Sequence, residues 1–239
     1  MSVAPAEIID GAAHRLLLLC DHASNRVPDD IDLKIDPALL DLHIAIDIGA
    51  ADVTRALAAQ LDAPAILGTV SRLVIDLHRE PDHPGLIPQV SDGHEIQGNA
   101  QIDSEERLVR FHIPYHATIE RWITARRPDY ILSVHSFTPK LEQGGSERPW
   151  EIGILYNQDA RLARPAIEWL GRQGLVVGDN EPYSGKALNA TLNRHAEAND
   201  IPSFAIEIRN DLIRDAAGVA RWAGILAAMA EILRGELGR

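Results

Sequence analysis

Two histidines in this chain close apolar runs directly. His22 ends Leu16-Leu-Leu-Leu-Cys-Asp-His22, and His135 ends Tyr130-Ile-Leu-Ser-Val-His135 before Ser136. A third run, Ser203-Phe-Ala-Ile-Glu-Ile-Arg209, is interrupted by the carboxylate of Glu207. In an open α/β sheet, ligands gather where strands end, because the helices leave a crevice there. Imidazoles and a carboxylate delivered to one sheet edge suit a divalent metal, zinc first, with a general base beside it. This pattern points to a metal-dependent hydrolase.

Each of these residues also has an ordinary reading. His22 or His135 taken singly fits a core histidine as well as a ligand, and only the set favours a metal. Glu207 is expected to be the catalytic carboxylate, since an unpartnered buried acid is costly without a cation or a task nearby. Its alternative is an ion pair with Arg209, two positions along the same strand face. Asp47, at the start of an alanine-rich helical stretch, reads from its residue type as a simple N-cap. Arg72, Arg79 and Arg209 lie near expected strand ends, where a guanidinium can fork onto a carboxylate or polarise a carbonyl, or form a surface salt bridge.

Other signals carry less. His14, His43, His83 and His94 fall in loops or at helix edges and are expected to be solvated. Cys20 beside His22 reads as a buried, inert thiol rather than a nucleophile. His112 and His116 have the spacing of a helical zinc pair, but Ile113 stands where the catalytic glutamate belongs and Pro114 intervenes. Gln143-Gly-Gly-Ser146 and Tyr183-Ser-Gly-Lys186 lack the full glycine spacing of a phosphate loop.

The elements that must hold these groups alternate. Strands are expected at 15–20, 65–67, 72–77, 130–134, 151–156, 175–177 and 203–208. Helices are expected at 38–44, from Asp47 to Leu61, at 104–126 with a disturbance at Pro114, and at 160–171, 188–199 and 216–237. The last carries a stripe of Val219, Ala220, Leu226, Met229, Ile232 and Leu233. Residues 80–100, with three prolines and three glycines, read as a long loop over the strand ends. Alternation of this kind implies a largely parallel sheet covered by helices on both faces, in one domain spanning 1–239.

Composition narrows the partners. With 46% apolar residues the 239-residue chain can fill one large core. A net charge of −12 argues against nucleic acid and anionic membranes, yet leaves room for a small anionic substrate met by local arginines. One cysteine excludes an internal disulfide. The N-terminus lacks the pattern of a secretory signal, and no apolar run approaches the roughly 20 residues of a membrane span. The expectation is a cytoplasmic protein, monomeric or homo-oligomeric.

Six motifs recur in a familiar order: Cys20-Asp-His-Ala-Ser-Asn25 with Val27-Pro28, His43-x-Ala-x-Asp-x-Gly-Ala50, Ser71-Arg-Leu-Val-Ile-Asp-Leu-His-Arg79, His135-Ser-Phe137, Asn180-Glu-Pro-Tyr-Ser-Gly185 and Glu207-Ile-Arg-Asn-Asp-Leu212. Together they resemble the N-formylglutamate amidohydrolase family over about residues 16–235. The resemblance implies a fold related to zinc carboxypeptidases and aspartoacylase: a three-layer αβα sandwich around a mixed, largely parallel sheet, phosphorylase/hydrolase-like. It implies His22, Asp47 and His135 as ligands of Zn2+ (Mn, Co or Fe being other occupants), Glu207 as general base, and Arg79 assisting at the carbonyl oxygen. Arg72 and Arg209 would meet the substrate's carboxylates, with Tyr183 and Ser184 in the 180–185 turn adding contacts. Relatives more often carry Asn where this chain has His78, a residue also expected to touch substrate. The implied reaction is hydrolysis of an N-formyl amino acid to formate and the free amino acid, within amino acid metabolism such as histidine degradation. Two other readings stand beside it. One is a hydrolase of the same metal type acting on other N-acyl amino acids or on C-terminal peptide bonds. The other is a non-catalytic binding protein that keeps the fold.

Overall fold

The computed structural model describes residues 4, 6–13 and 15–237; His14 and most of the N-terminal stretch discussed above lie outside them. Among the described residues nine strands form, seven of them in one sheet. The strands are β1 (Ala6–Ile9), β2 (Leu16–Cys20), β3 (Ala65–Gly68), β4 (Val90–Ser91), β5 (His94–Glu95), β6 (Tyr130–Phe137), β7 (Ile152–Leu155), β8 (Val177–Asp179) and β9 (Ser203–Arg209). The large sheet runs β1-β3-β2-β6-β9-β7-β8, with β3, β2, β6 and β9 mutually parallel. Strand β1 pairs antiparallel to β3, and β7 antiparallel to β9. The sheet is therefore mixed and largely parallel. The antiparallel edge strand β1 was not anticipated from its sequence, which is short and half-exposed.

Helices cover both faces. One side is packed by α1 (Ala50–Leu61), α4 (Ala163–Arg172) and α6 (Ala216–Leu237), burying Leu16, Leu18, Leu132, Val134, Ile206 and their neighbours. The other is packed by α3 (Ile113–Arg126), α5 (Ala190–His195) and the connections 22–46 and 69–100, burying Leu17, Leu19, Ile131 and Ala205. Strand alternation explains the split: even residues of β6 point one way and odd residues the other.

Several expectations are corrected. Residues 72–77 form turns rather than a strand. Ser71 donates its hydroxyl to Ala45 O and accepts from Leu73 N, while Val74 N and Ile75 N both bond Ser71 O. An apolar run buried on all sides has no period to separate the two states. The expected helix at 38–44 is a short 3-10 turn, Pro37–Asp41. The 80–100 loop contains the β4–β5 hairpin. Residues 104–126 divide into α2 (Ser104–Arg107), a π-helical stretch Leu108–His112, and α3, whose second residue is Pro114. Proline is tolerated in a first turn, where its missing N–H has no partner to lose.

Helix α6 is long and apolar enough by length and composition to cross a bilayer, which corrects the expectation that no stretch approaches that size. Here it presents Trp222, Leu226, Met229 and Leu233 to the core, while Ala220 and Ile232 of the expected stripe face outward.

Candidate active site

The site is built on one face of the sheet, around its topological switch point. From β2 the chain goes to β3 on one side and later to β6 on the other. Asp21 and His22 follow β2, Ser133 and His135 lie on β6, and Glu207 lies on β9. His135 and Glu207 sit inside their strands rather than beyond them, because the β6–β9 ladder continues to Phe137 and Arg209.

Asp47 is not the N-cap. Gly49 takes that position with φ 79°, a left-handed conformation that glycine adopts without a Cβ penalty. The Asp47 backbone N–H donates to His22 O, docking the loop on the end of β2. Its carboxylate is thereby freed for the site: Oδ2 lies 3.2 Å from His22 Nδ1 and 2.9 Å from His135 Nδ1.

Each imidazole is oriented from behind by a second carboxylate. His22 Nε2–H donates to Asp76 Oδ1 at 2.7 Å. His135 Nε2 lies 3.0 Å from Ser133 Oγ and 3.2 Å from Asp21 Oδ2. A metal-binding histidine characteristically gives its other ring N–H to a carboxylate, which fixes its tautomer. Both Nδ1 lone pairs are thus aimed at one oxygen, an arrangement that needs positive charge at its centre. Without a metal, only protons can supply it. Burial opposes charge on both rings, yet Asp76 and Asp47 raise the pKa of His22, and Asp21 and Asp47 hold that of His135 well above the usual value. The donor set fits a divalent ion: two nitrogens and one carboxylate oxygen, all within 4.8 Å of one another and buried.

Asp21, His78 and His135 form a second group of donors at the same spacing. We read it as the orienting layer. Asp21 already accepts from Tyr115 OH and Thr191 Oγ1, both at 2.9 Å, and from Ser133 Oγ at 3.3 Å. Burial alone would raise its pKa, but the His135 and His78 hydrogen bonds keep it ionised.

Glu207 faces His22, Asp47 and His135 across the ladder. Its Oε2 is buried and has no hydrogen-bond partner among the described residues. Burial chiefly pushes its pKa up to about 7. The expected alternative partner, Arg209, turns away and pairs with Asp211 at 2.8 Å.

These groups open on a cavity of about 360 Å³ lined by His22, Asp47, Arg72, His78, Arg79, His135, Tyr183 and Glu207, among others. Arg209 and Ser184, both expected to touch substrate, do not line it. Ser184 instead accepts from Lys186 N. Arg72 bonds Asp47 Oδ1 at 3.1 Å and Asp76 Oδ2 at 2.8 Å, so it sits against the ligand set with both terminal nitrogens engaged. Arg79 has only a 3.7 Å approach of Nε to Asp76, leaving its terminal nitrogens without a partner among the described residues. His43, expected to be solvated, is part of the cavity wall with Nε2 3.0 Å from Asp92 Oδ2.

Asp21 and Asp76, which bond the site histidines from behind, are not singled out by the sequence reading. Their one signal is adjacency, Asp21 to His22 and Asp76 within Asp76-Leu-His-Arg79. His112 and His116, rejected as zinc ligands, bond backbone instead: His112 Nε2–H donates to Arg79 O and His116 Nε2–H to Leu77 O. They brace the segment carrying His78 and Arg79. Cys20 lies on the opposite sheet face, its thiol pKa raised by burial.

The family model described as N-formylglutamate amidohydrolase matches residues 14–214. The chain belongs to the N-formylglutamate amidohydrolase family. The match includes every site residue named above. Among solved structures, gene product Atu2144 from Agrobacterium tumefaciens is 31% identical with a TM-score of 0.92, covering 98% of this chain and 96% of that one. An N-formylglutamate amidohydrolase from Ralstonia eutropha JMP134 shares the fold at 20% identity and a TM-score of 0.69, over 97% of this chain and 99% of that one. The tripeptide-bound cell shape determinant Csd4 of Helicobacter pylori is 14% identical with a TM-score of 0.50, over 98% of this chain but 55% of its own. No curated protein is matched by this chain. The likeness to the Ralstonia enzyme is one of fold, an αβα architecture around a mixed sheet.

Proposed function

We propose that this protein is a metal-dependent amidohydrolase that removes the formyl or a small acyl group from an N-acyl amino acid. The observation that carries the reading is the convergence of His22 Nδ1, His135 Nδ1 and Asp47 Oδ2 beside an unpartnered buried carboxylate, Glu207. His22, Asp47 and His135 would hold the ion, for which zinc suits two nitrogens and one oxygen with a position left open. When bound, such an ion supplies Lewis acidity, lowering the pKa of water toward about 7 and polarising a carbonyl.

The chain's own groups do the rest. Glu207 takes a proton from the attacking water and returns it to the leaving amine. A cation between the three ligands favours its ionised form, offsetting the burial that raises its pKa. Arg72, held against Asp47 and Asp76, keeps its positive charge beside the reacting carbonyl oxygen, where a fixed donor stabilises developing negative charge. Arg79 offers its free fork to the α-carboxylate of the substrate. Tyr183 and His78 complete the wall.

The test is formate release from a panel of N-formyl and N-acetyl amino acids, N-formyl-L-glutamate included, with and without a chelator and with zinc restored. Chelator-sensitive release supports the reading. Absence of release from every member by zinc-loaded protein sinks it.

A further inference from the structure

Resting on that reading, we propose that the amino acid released here has an uncharged side chain, so that N-formyl-L-glutamate is a poor substrate for this family member. A substrate with two carboxylates needs two cationic partners, since a carboxylate taken from water without one is strongly disfavoured. The cavity supplies one.

Among the residues lining it, only Arg72 and Arg79 are permanent cations. Arg72 has both terminal nitrogens on Asp47 and Asp76, two carboxylates to one guanidinium. Arg79 is therefore the single free fork, and the α-carboxylate common to all N-acyl amino acids takes it.

The histidines of the lining offer no second charge. His22 and His135 are turned to Asp47. His43 lies against the Asp92 carboxylate. His78 approaches Asp21 Oδ2 at 3.2 Å and Thr191 Oγ1 at 2.9 Å with the same nitrogen, Nδ1. Facing a carboxylate and a hydroxyl, Nδ1 is the nitrogen that carries the proton, so this ring is already engaged by Asp21 and Thr191 and is not a free cation for a substrate carboxylate.

What remains of the wall fits an uncharged side chain. Phe137, Leu141, Leu155 and Leu188 are apolar, Gln143 is a neutral amide, and Asp92 is itself an anion. Arg148 stands behind this wall, donating to Thr138 O and Tyr183 OH and lying 4.9 Å over the Tyr183 ring.

The decisive comparison uses isosteres, N-formyl-L-glutamine and N-formyl-L-glutamate, on the zinc-loaded full chain. The expected result is a kcat/KM at least tenfold higher for the glutamine compound. The Glu207→Gln variant, which should bind without turnover, is expected to favour the glutamine compound by a similar factor in calorimetry. A Gln143→Arg variant adds the missing cation and should narrow the ratio by about tenfold. Equal or better use of N-formyl-L-glutamate by the unaltered protein overturns the inference, and so does a Gln143→Arg ratio that does not move. Failure to hydrolyse these two compounds and every other member of the N-formyl and N-acetyl panel sinks the amidohydrolase reading itself. In that case calorimetric preference for glutamine still upholds the selectivity of the cavity, and its absence overturns both.

Discussion

His135 and Glu207 are register partners on adjacent parallel strands, β6 and β9, and their side chains leave the same face of the sheet. A seven-residue ladder from Ile131↔Ser203 to Phe137↔Arg209 fixes the pairing. Slipping that ladder by one residue would send Glu207 to the opposite face, among Val134, Ile206 and Ile208. Glu207 is thus placed relative to His135 by backbone hydrogen bonds, independent of any side-chain contact.

Glu207→Gln is expected to lower kcat by about 10²- to 10⁴-fold, the usual worth of a positioned acid or base. Zinc content should remain, because Glu207 is not one of the three ligands. Thermal stability should hold or rise, since an unpartnered buried carboxylate is replaced by a neutral amide. Metal analysis and a melting curve on the same sample separate these effects. Loss of zinc along with activity would count against the assignment.

Asp76→Asn tests the orienting layer. Its carboxylate accepts from His22 Nε2 and from Arg72, and Arg72 and His22 keep it ionised against burial. Weakening of zinc binding by about 10- to 100-fold is expected, as for other outer ligand partners. Competition with a chromophoric chelator measures it.

Stability should fall below neutral pH through His116 and His195. Burial drives their pKa values down to about 2 and about 4, while each returns to near 6.5 on unfolding. Above pH 6.5 neither state binds the proton, so these rings leave stability unchanged. As pH falls from 6.5 toward 4, the unfolded chain gains protons that the fold refuses. Each ring then removes up to about 1.4 kcal/mol per pH unit. Denaturant titrations at pH 7, 6 and 5 should show the decline, and His195→Gln should flatten it.

Gly49→Ala should cost more than about 1 kcal/mol, because φ there is 79° and a Cβ would lie 2.3 Å from Ile213 O. Asp47 stands two residues upstream, so zinc affinity should fall with stability. Urea unfolding and a zinc titration check the two together.

The apolar runs 16–20, 130–137 and 203–209 with their polar interruptions were legible in the chain alone, because a strand buried on both faces tolerates few polar residues without purpose. The sandwich follows from them, as does the meeting of His22, His135 and Glu207 around one cavity, while the presence of Asp47 beside them was suggested by motif order. Residues 72–77 were misread, since a buried run bent by Ser71 has the composition of a strand. What only the tertiary structure decided is pairing. Asp21 and Asp76 became the carboxylates behind the two histidines, and Arg209 left the site for Asp211. Arg72 is held by Asp47 and Asp76 while Arg79 makes only a 3.7 Å approach to Asp76, because which carboxylate a guanidinium meets depends on how distant segments pack. Residue type and period set what each segment can bury; the partner of each buried charge is set by the packing of segments that lie far apart in sequence.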